Sequence, residues 1–125
     1  MTDQEKRTVL YVEDDPDYRE AVRAILESGG YDVLEAETAE EGLKIFHEAR
    51  PDIALVDMMM EEVDAGVNLV RELRMEGEGV DVFLLTSLGD ALTMTKDWRD
   101  LGLAGVLQKP IRAETLLALL RSKTG

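Results

Sequence analysis

Four carboxylates, one hydroxyl and one amine stand directly behind short apolar runs in this chain. Glu13, Asp14 and Asp15 follow Val9-Leu10-Tyr11-Val12. Asp57 follows Ile53-Ala54-Leu55-Val56. Thr86 follows Val82-Phe83-Leu84-Leu85, and Lys109 follows Val106-Leu107-Gln108. Acids gathered at one pole with a lysine and a hydroxyl suit a hard cation. Mg²⁺ takes oxygen ligands in octahedral geometry, usually one or two carboxylates, with waters and phosphate oxygens for the rest. Carboxylates that close repel and raise each other's pKa unless a divalent ion or Lys109 neutralises them. One carboxylate can then act as a nucleophile, while cation and lysine cover the oxygens of an incoming phosphoryl group.

For these groups to meet, the elements must deliver them to one edge. Thr8–Val12 reads as a first strand. Asp15 caps a helix that opens with Pro16, carries Tyr18, Val22, Ile25 and Leu26 on one face, and ends at Gly29-Gly30. Tyr31–Ala36 is a second strand, and the acids Asp32 and Glu35 on either side of Val33-Leu34 suit a sheet edge. Thr38 and Glu41 form a capping-box pattern for a helix that buries Leu43 and Phe46, with Ala39, and stops before Pro51. The unbroken run Ile53–Asp57 reads as a strand buried on both faces. A loop from Met58 to Gly66 follows, then a helix carrying Val67, Val70 and Leu73, and a turn at Glu76–Gly79. Val80–Leu85 is the fourth strand and delivers Thr86 and Ser87. Leu92, Thr95, Trp98 and Leu101 give a weak helical stripe between Leu88 and Gly102. Ala104–Gln108 is a fifth strand, and a last helix carries Leu116, Leu117 and Leu120. Five strands alternating with five helices predict parallel βαβ units with right-handed crossovers, so every strand ends at the same edge.

The totals narrow the classes. The chain has 125 residues, 45% apolar and 33% charged, which predicts one globular domain over residues 1–125. It lacks cysteine, which excludes disulfides and thiolate metal sites. A net charge of −13 argues against a nucleic-acid surface, since phosphate affinity needs neutralising Lys and Arg. No apolar run approaches a membrane span, and Met1–Arg7 is charged with no apolar segment behind it. The expected compartment is cytoplasmic, with no membrane partner.

In order along the chain stand Val12-Glu13-Asp14-Asp15-Pro16, Leu55-Val56-Asp57-Met58-Met59-Met60, Leu84-Leu85-Thr86-Ser87 and Lys109-Pro110. Together they resemble the receiver domain of a bacterial two-component response regulator, over Val9 to about Arg121. The resemblance implies a flavodoxin-like (βα)5 doubly wound fold, with a five-stranded parallel sheet in order 2-1-3-4-5. It implies Asp57 as phosphoacceptor, modified to 4-aspartylphosphate. Asp14 would be a direct Mg²⁺ ligand, Glu13 a ligand through water, and the Met59 carbonyl a further protein ligand. Thr86 would be the switch hydroxyl, Lys109 the partner of a phosphoryl oxygen, and Lys109-Pro110 a cis peptide. The donor would be a sensor histidine kinase or a phosphotransfer protein. The output would be altered binding of a downstream protein, or a phosphorylation-dependent dimer, with no direct nucleic-acid contact. The chain would catalyse only its own phosphorylation and dephosphorylation. Nothing after Leu120 could be a DNA-binding effector, so the chain is expected to be a stand-alone regulator or a receiver from a longer one.

The chain departs from the family pattern in three places. The loop after Asp57 has Glu61 and Ala65 where proline and glycine are usual, with the glycine at Gly66, which reads as a one-residue insertion. Val106 stands three residues before the lysine, where an aromatic is common. Valine is small and stiff at χ1, so a ring-swing switch is not expected. Met59 and Leu88, both apolar, flank the expected path of attacking water, which predicts a long-lived aspartyl phosphate. Two rival functions remain open. A Mg²⁺-dependent phosphohydrolase with an Asp nucleophile needs a second acid where Met59 stands. A pseudo-receiver would bind partners without phosphorylation, against which the full set Glu13, Asp14, Asp57, Thr86 and Lys109 argues. His47 and Trp98 read as surface and packing residues, and Met58–Met60 as loop and core filler rather than a copper site.

Overall fold

Apolar runs with no polar break become strands covered on both faces, because neither face can be left to water. In the computed structural model, which describes residues 7–57, 65–76, 79–86 and 102–124, these runs form the centre of the molecule. The elements are β1 (Thr8–Val12), α1 (Pro16–Ser28), β2 (Asp32–Ala36), α2 (Ala39–Ala49), β3 (Ile53–Asp57), α3 (Ala65–Glu76), β4 (Asp81–Thr86), β5 (Gly105–Gln108) and α4 (Ala113–Thr124). All strand pairs are parallel, in the order β2-β1-β3-β4-β5, which is the flavodoxin-like doubly wound arrangement.

Side chains alternate across a strand, so each central strand divides its residues between two cores. Leu10, Val12, Ala54, Val56, Val82 and Leu84 meet Phe46 of α2 and Leu69, Val70 and Leu73 of α3. Val9, Tyr11, Ile53, Leu55, Phe83, Leu85 and Leu107 meet Val22 and Leu26 of α1 and Leu116 and Leu120 of α4. The register ties Val12 to Val56, Val56 to Leu84 and Leu84 to Val106, row by row. Parallel pairing brings the carboxyl ends of β1, β3, β4 and β5 to one edge, with Glu13, Asp57, Thr86 and Lys109 at or just past them.

The caps match the sequence with one shift. Asp15 Oδ1 accepts the N–H groups of Asp17 at 2.9 Å and Tyr18 at 3.4 Å, ahead of Pro16 at the first turn. Thr38 Oγ1 accepts the Glu41 N–H at 3.0 Å. The Glu41 carboxylate reaches back to the Glu37 N–H at 2.8 Å, one residue earlier than in a standard capping box. The last turn of α2 closes on Arg50 in the left-handed region, φ 50°, just before Pro51. At the sheet edge, Asp32 of β2 is exposed, and Glu35 pairs with Arg23 at 2.9 Å and Arg19 at 3.6 Å.

Several boundaries move by a residue. β2 begins at Asp32 because the Tyr31 N–H is still bonded to Leu26 at the end of α1. β4 begins at Asp81, the Val80 carbonyl being taken by Arg74 of α3 at 3.0 Å, and it extends to Thr86, which pairs with Gln108. β5 begins at Gly105 rather than Ala104. Ala65 and Gly66, expected in the loop after Asp57, belong to α3. The helix expected between Leu88 and Gly102, with Trp98, falls almost wholly outside the described residues. So do Met58–Asp64, including Met59.

Gly42 shows how closely α2 lies on β1. A Cβ at this position would stand 2.8 Å from Val12 Cγ2, in a contact where both residues are buried. Val12 is β-branched and fully enclosed, so it has no room to give. Gly42→Val is expected to cost about 1–3 kcal/mol, seen as a lower urea midpoint with an unchanged m-value.

Candidate functional site

β1 ends in the acidic pair, and the two acids differ sharply in setting. Glu13 is 1% exposed, while Asp14 is half-buried at the surface. A buried carboxylate needs donors. Glu13 Oε1 accepts from the Tyr11 hydroxyl at 3.0 Å and from Lys109 Nζ at 3.0 Å. Glu13 Oε2 accepts the Asp15 N–H at 3.4 Å. Arg19 of α1 donates to the Glu13 carbonyl at 2.8 Å and holds the end of β1 from the helix side.

Asp57 closes β3 and is buried. Lys109 Nζ lies 3.4 Å from Asp57 Oδ1, so one ammonium group bridges the carboxylates of β1 and β3. Two further features fix that ammonium. The Lys109 N–H donates to the Thr86 carbonyl at 2.6 Å, which ties the residue to the end of β4. Its Nζ also sits 4.2 Å from the centroid of the Tyr18 ring, within cation–π range. The Lys109-Pro110 bond is cis, as the resemblance implies. Thr86 is buried beside this end of the sheet.

One oxygen of each of Glu13, Asp14 and Asp57 lies within 4.8 Å of the others. All three donors are hard oxygens, the chemistry a Mg²⁺ ion selects. Asp15 stands outside this group, its carboxylate being used by the helix cap.

The Asp57 pKa is pushed up from the ordinary 3.8 to about 7. Burial is the first cause and the hydrogen bond and charge of Glu13 the second, with Lys109 pulling the other way. Burial works against the charge on Lys109 too, but Glu13 and Asp57 outweigh it and its pKa rises. The Tyr11 phenol moves far above its usual range, through burial and then the neighbouring Glu13 charge. It is therefore a donor at every working pH.

The structure brings Glu13, Asp14, Asp57, Thr86 and Lys109 to one end of the sheet. Met59 lies outside the described residues. The sequence reading missed Tyr11, Tyr18 and Arg19. Tyr11 carried a signal, being two residues before Glu13 and hence on the same strand face. Tyr18 and Arg19 read only as members of a helix, with nothing to say what they would touch. His47 is exposed in the last turn of α2, against the edge of Phe46.

The family model of the response regulator receiver domain matches residues 9–121. Response regulator MprA of Mycolicibacterium vanbaalenii is 34% identical over 114 residues, covering 91% of this chain and 48% of that protein. The probable transcriptional regulator ycf27 of Guillardia theta is 32% identical over 117 residues, covering 94% of this chain and 45% of that protein. The chain thus spans about half the length of these curated relatives. Among solved structures, a receiver domain protein of Clostridium thermocellum superimposes with TM-score 0.84 at 27% identity, covering 94% of this chain and 93% of that one. The chemotaxis protein CheY4 of Vibrio cholerae gives 0.80 at 30% identity, covering 94% and 98%. With the acids, the hydroxyl and the lysine at the strand ends, the sheet order and these matches in agreement, the chain belongs to the response regulator receiver domain family.

Proposed function

We propose that Asp57 is the phosphoacceptor of a two-component phosphorelay, taking a phosphoryl group from a histidine kinase or phosphotransfer protein. The observation that carries this reading is the Lys109 ammonium held 3.4 Å from a buried Asp57, beside Glu13 and Asp14. An Asp57 oxygen attacks phosphorus in line as the bond to the donor nitrogen breaks, and the freed imidazole keeps that electron pair. Lys109 meets one phosphoryl oxygen, and the Thr86 hydroxyl meets another. Glu13, Asp14, Asp57 and the Met59 carbonyl are the residues that would hold Mg²⁺. A bound divalent cation neutralises charge on the phosphoryl oxygens. The role is signalling within a cytoplasmic pathway, with residues 1–125 acting as one receiver unit and a downstream protein or a second copy as the reader. Met59 stands where an aspartate-based phosphohydrolase needs its second acid, so turnover of external phosphomonoesters is not part of this reading.

Val106 packs half-buried against the α2 and α3 side of the core, opposite Leu84. With valine there, the switch runs through Thr86 and the segment after it, without a ring rotation. A structure with a phosphoryl mimic should show a changed Thr86 rotamer and an unmoved Val106. An unchanged Thr86 would end this account.

Acetyl phosphate with Mg²⁺ should add one phosphoryl mass to the protein, and Asp57→Asn should abolish it. Lys109→Ala should slow the reaction about a hundred-fold, as loss of one charge-stabilising donor does elsewhere. No mass gain from acetyl phosphate or from a phosphorylated histidine donor would favour the pseudo-receiver.

Asp57 also predicts a pH dependence. Its folded-state pKa lies above the ordinary carboxylate value, so the folded form holds its proton to higher pH than the unfolded form. The stability this contributes is present below about 3.8 and is lost as pH rises to about 7. In EDTA, Asp57→Asn should therefore be more stable than the parent at pH 8, by at least about 1 kcal/mol. Added Mg²⁺ should restore the parent and leave Asp57→Asn much less affected, as urea titrations would show.

A further inference from the structure

The Tyr11 hydroxyl lies at the site and has no part in the proposed phosphoryl chemistry. Tyr11 is fully buried, and its ring belongs to the core cluster with Val9, Leu55 and Phe83. That cluster needs the ring and has no use for the hydroxyl. The hydroxyl is spent instead on Glu13 Oε1, at 3.0 Å.

Glu13 has a particular need for it. The side chain has three rotatable bonds, so it must be held to present a fixed oxygen. It is 1% exposed, which leaves little place for water as a donor. Among the described residues, its short hydrogen bonds come from Tyr11 and Lys109, both to Oε1, while the Asp15 N–H on Oε2 is long at 3.4 Å. Of the two short donors, Lys109 is also committed to Asp57 and must turn to a phosphoryl oxygen when one arrives. A buried carboxylate stripped of its donors is costly. Tyr11 is the donor that stays, because its ring is locked in the core.

We propose that Tyr11 is a positioning residue for the divalent-cation site, its hydroxyl holding the Glu13 carboxylate in place while Lys109 moves to the phosphoryl group. This rests on the functional reading above, in which Glu13 helps to hold Mg²⁺. Groups that hydrogen-bond a metal-binding carboxylate orient it, and their loss weakens metal binding even though they never touch the ion.

The test is isothermal titration of the full chain with Mg²⁺. Tyr11→Phe keeps the ring, so the core stays filled, and far-UV circular dichroism checks that the fold is kept. It should weaken Mg²⁺ binding about ten-fold. Glu13→Gln should weaken it too, and adding Tyr11→Phe to Glu13→Gln should cause no further loss, because Tyr11 acts only through that carboxylate. A tyrosine serving only the core would lower the melting temperature and leave the Mg²⁺ affinity alone. Unchanged or tighter binding by Tyr11→Phe overturns the inference, as does an equal loss in both backgrounds. If the parent itself binds no Mg²⁺, the functional reading falls and the inference falls with it.

Discussion

Glu13 and Asp57 are taken out of water at the ends of neighbouring strands, and the Lys109 ammonium reaches both of them. Among the described residues, two carboxylates and one ammonium leave a negative charge uncancelled, and Asp14 adds another at the rim. In a medium less polar than water such an excess is felt strongly. Burial first, and this charge second, raise the affinity of Asp57 for a proton. The site is thus built short of positive charge, and a proton or a divalent cation can supply what is lacking. That shortage is what makes the end of the sheet responsive to its surroundings. A neutral, fully paired cluster would be better settled and would have little reason to bind anything.

The remainder of the architecture keeps this shortage in place. Parallel strand order brings residues far apart in sequence to one edge, and the central strands are too well packed to shift. Lys109 cannot simply swing away to solvent. Its backbone is tied to Thr86 at 2.6 Å, and its ammonium lies over Tyr18. Arg19 holds the end of β1 through the Glu13 carbonyl. Helices α1 and α2 thereby press on the same strand end from opposite faces of the sheet, α1 through Arg19 and α2 through Gly42 against Val12.

What could be read from the sequence, and what could not, follows from the range of the interactions involved. Ile53–Val56 announced a doubly covered strand because four apolar residues in a row leave no face for water. The Asp15-Pro16 and Thr38-x-x-Glu41 caps were legible because they are local. Asp57, Glu13, Asp14, Thr86 and Lys109 were legible as a set because parallel strands share an edge. Boundaries slipped where tertiary hydrogen bonds decided them, as at Val80, whose carbonyl is taken by Arg74. The link from Tyr11 to Glu13 was missed because a tyrosine in an apolar strand reads as core, and only its distance from Glu13 reveals the second task. The Lys109–Tyr18 contact joins residues 91 positions apart, and no local pattern reports such a pairing.

The pairing of Glu35 with Arg19 and Arg23 has a further consequence, for how the molecule behaves in a crowd. Among the described residues β2 ends the sheet on one side, and an open strand edge is a template on which another chain can add a strand. Here an incoming strand would run beside the exposed Asp32 and beside Glu35, which Arg19 and Arg23 of α1 both pair. Those arginines belong to α1, so the helix that steadies the acidic pair also sets charge beside the border strand. Charged side chains beside a border strand disfavour strand-to-strand addition.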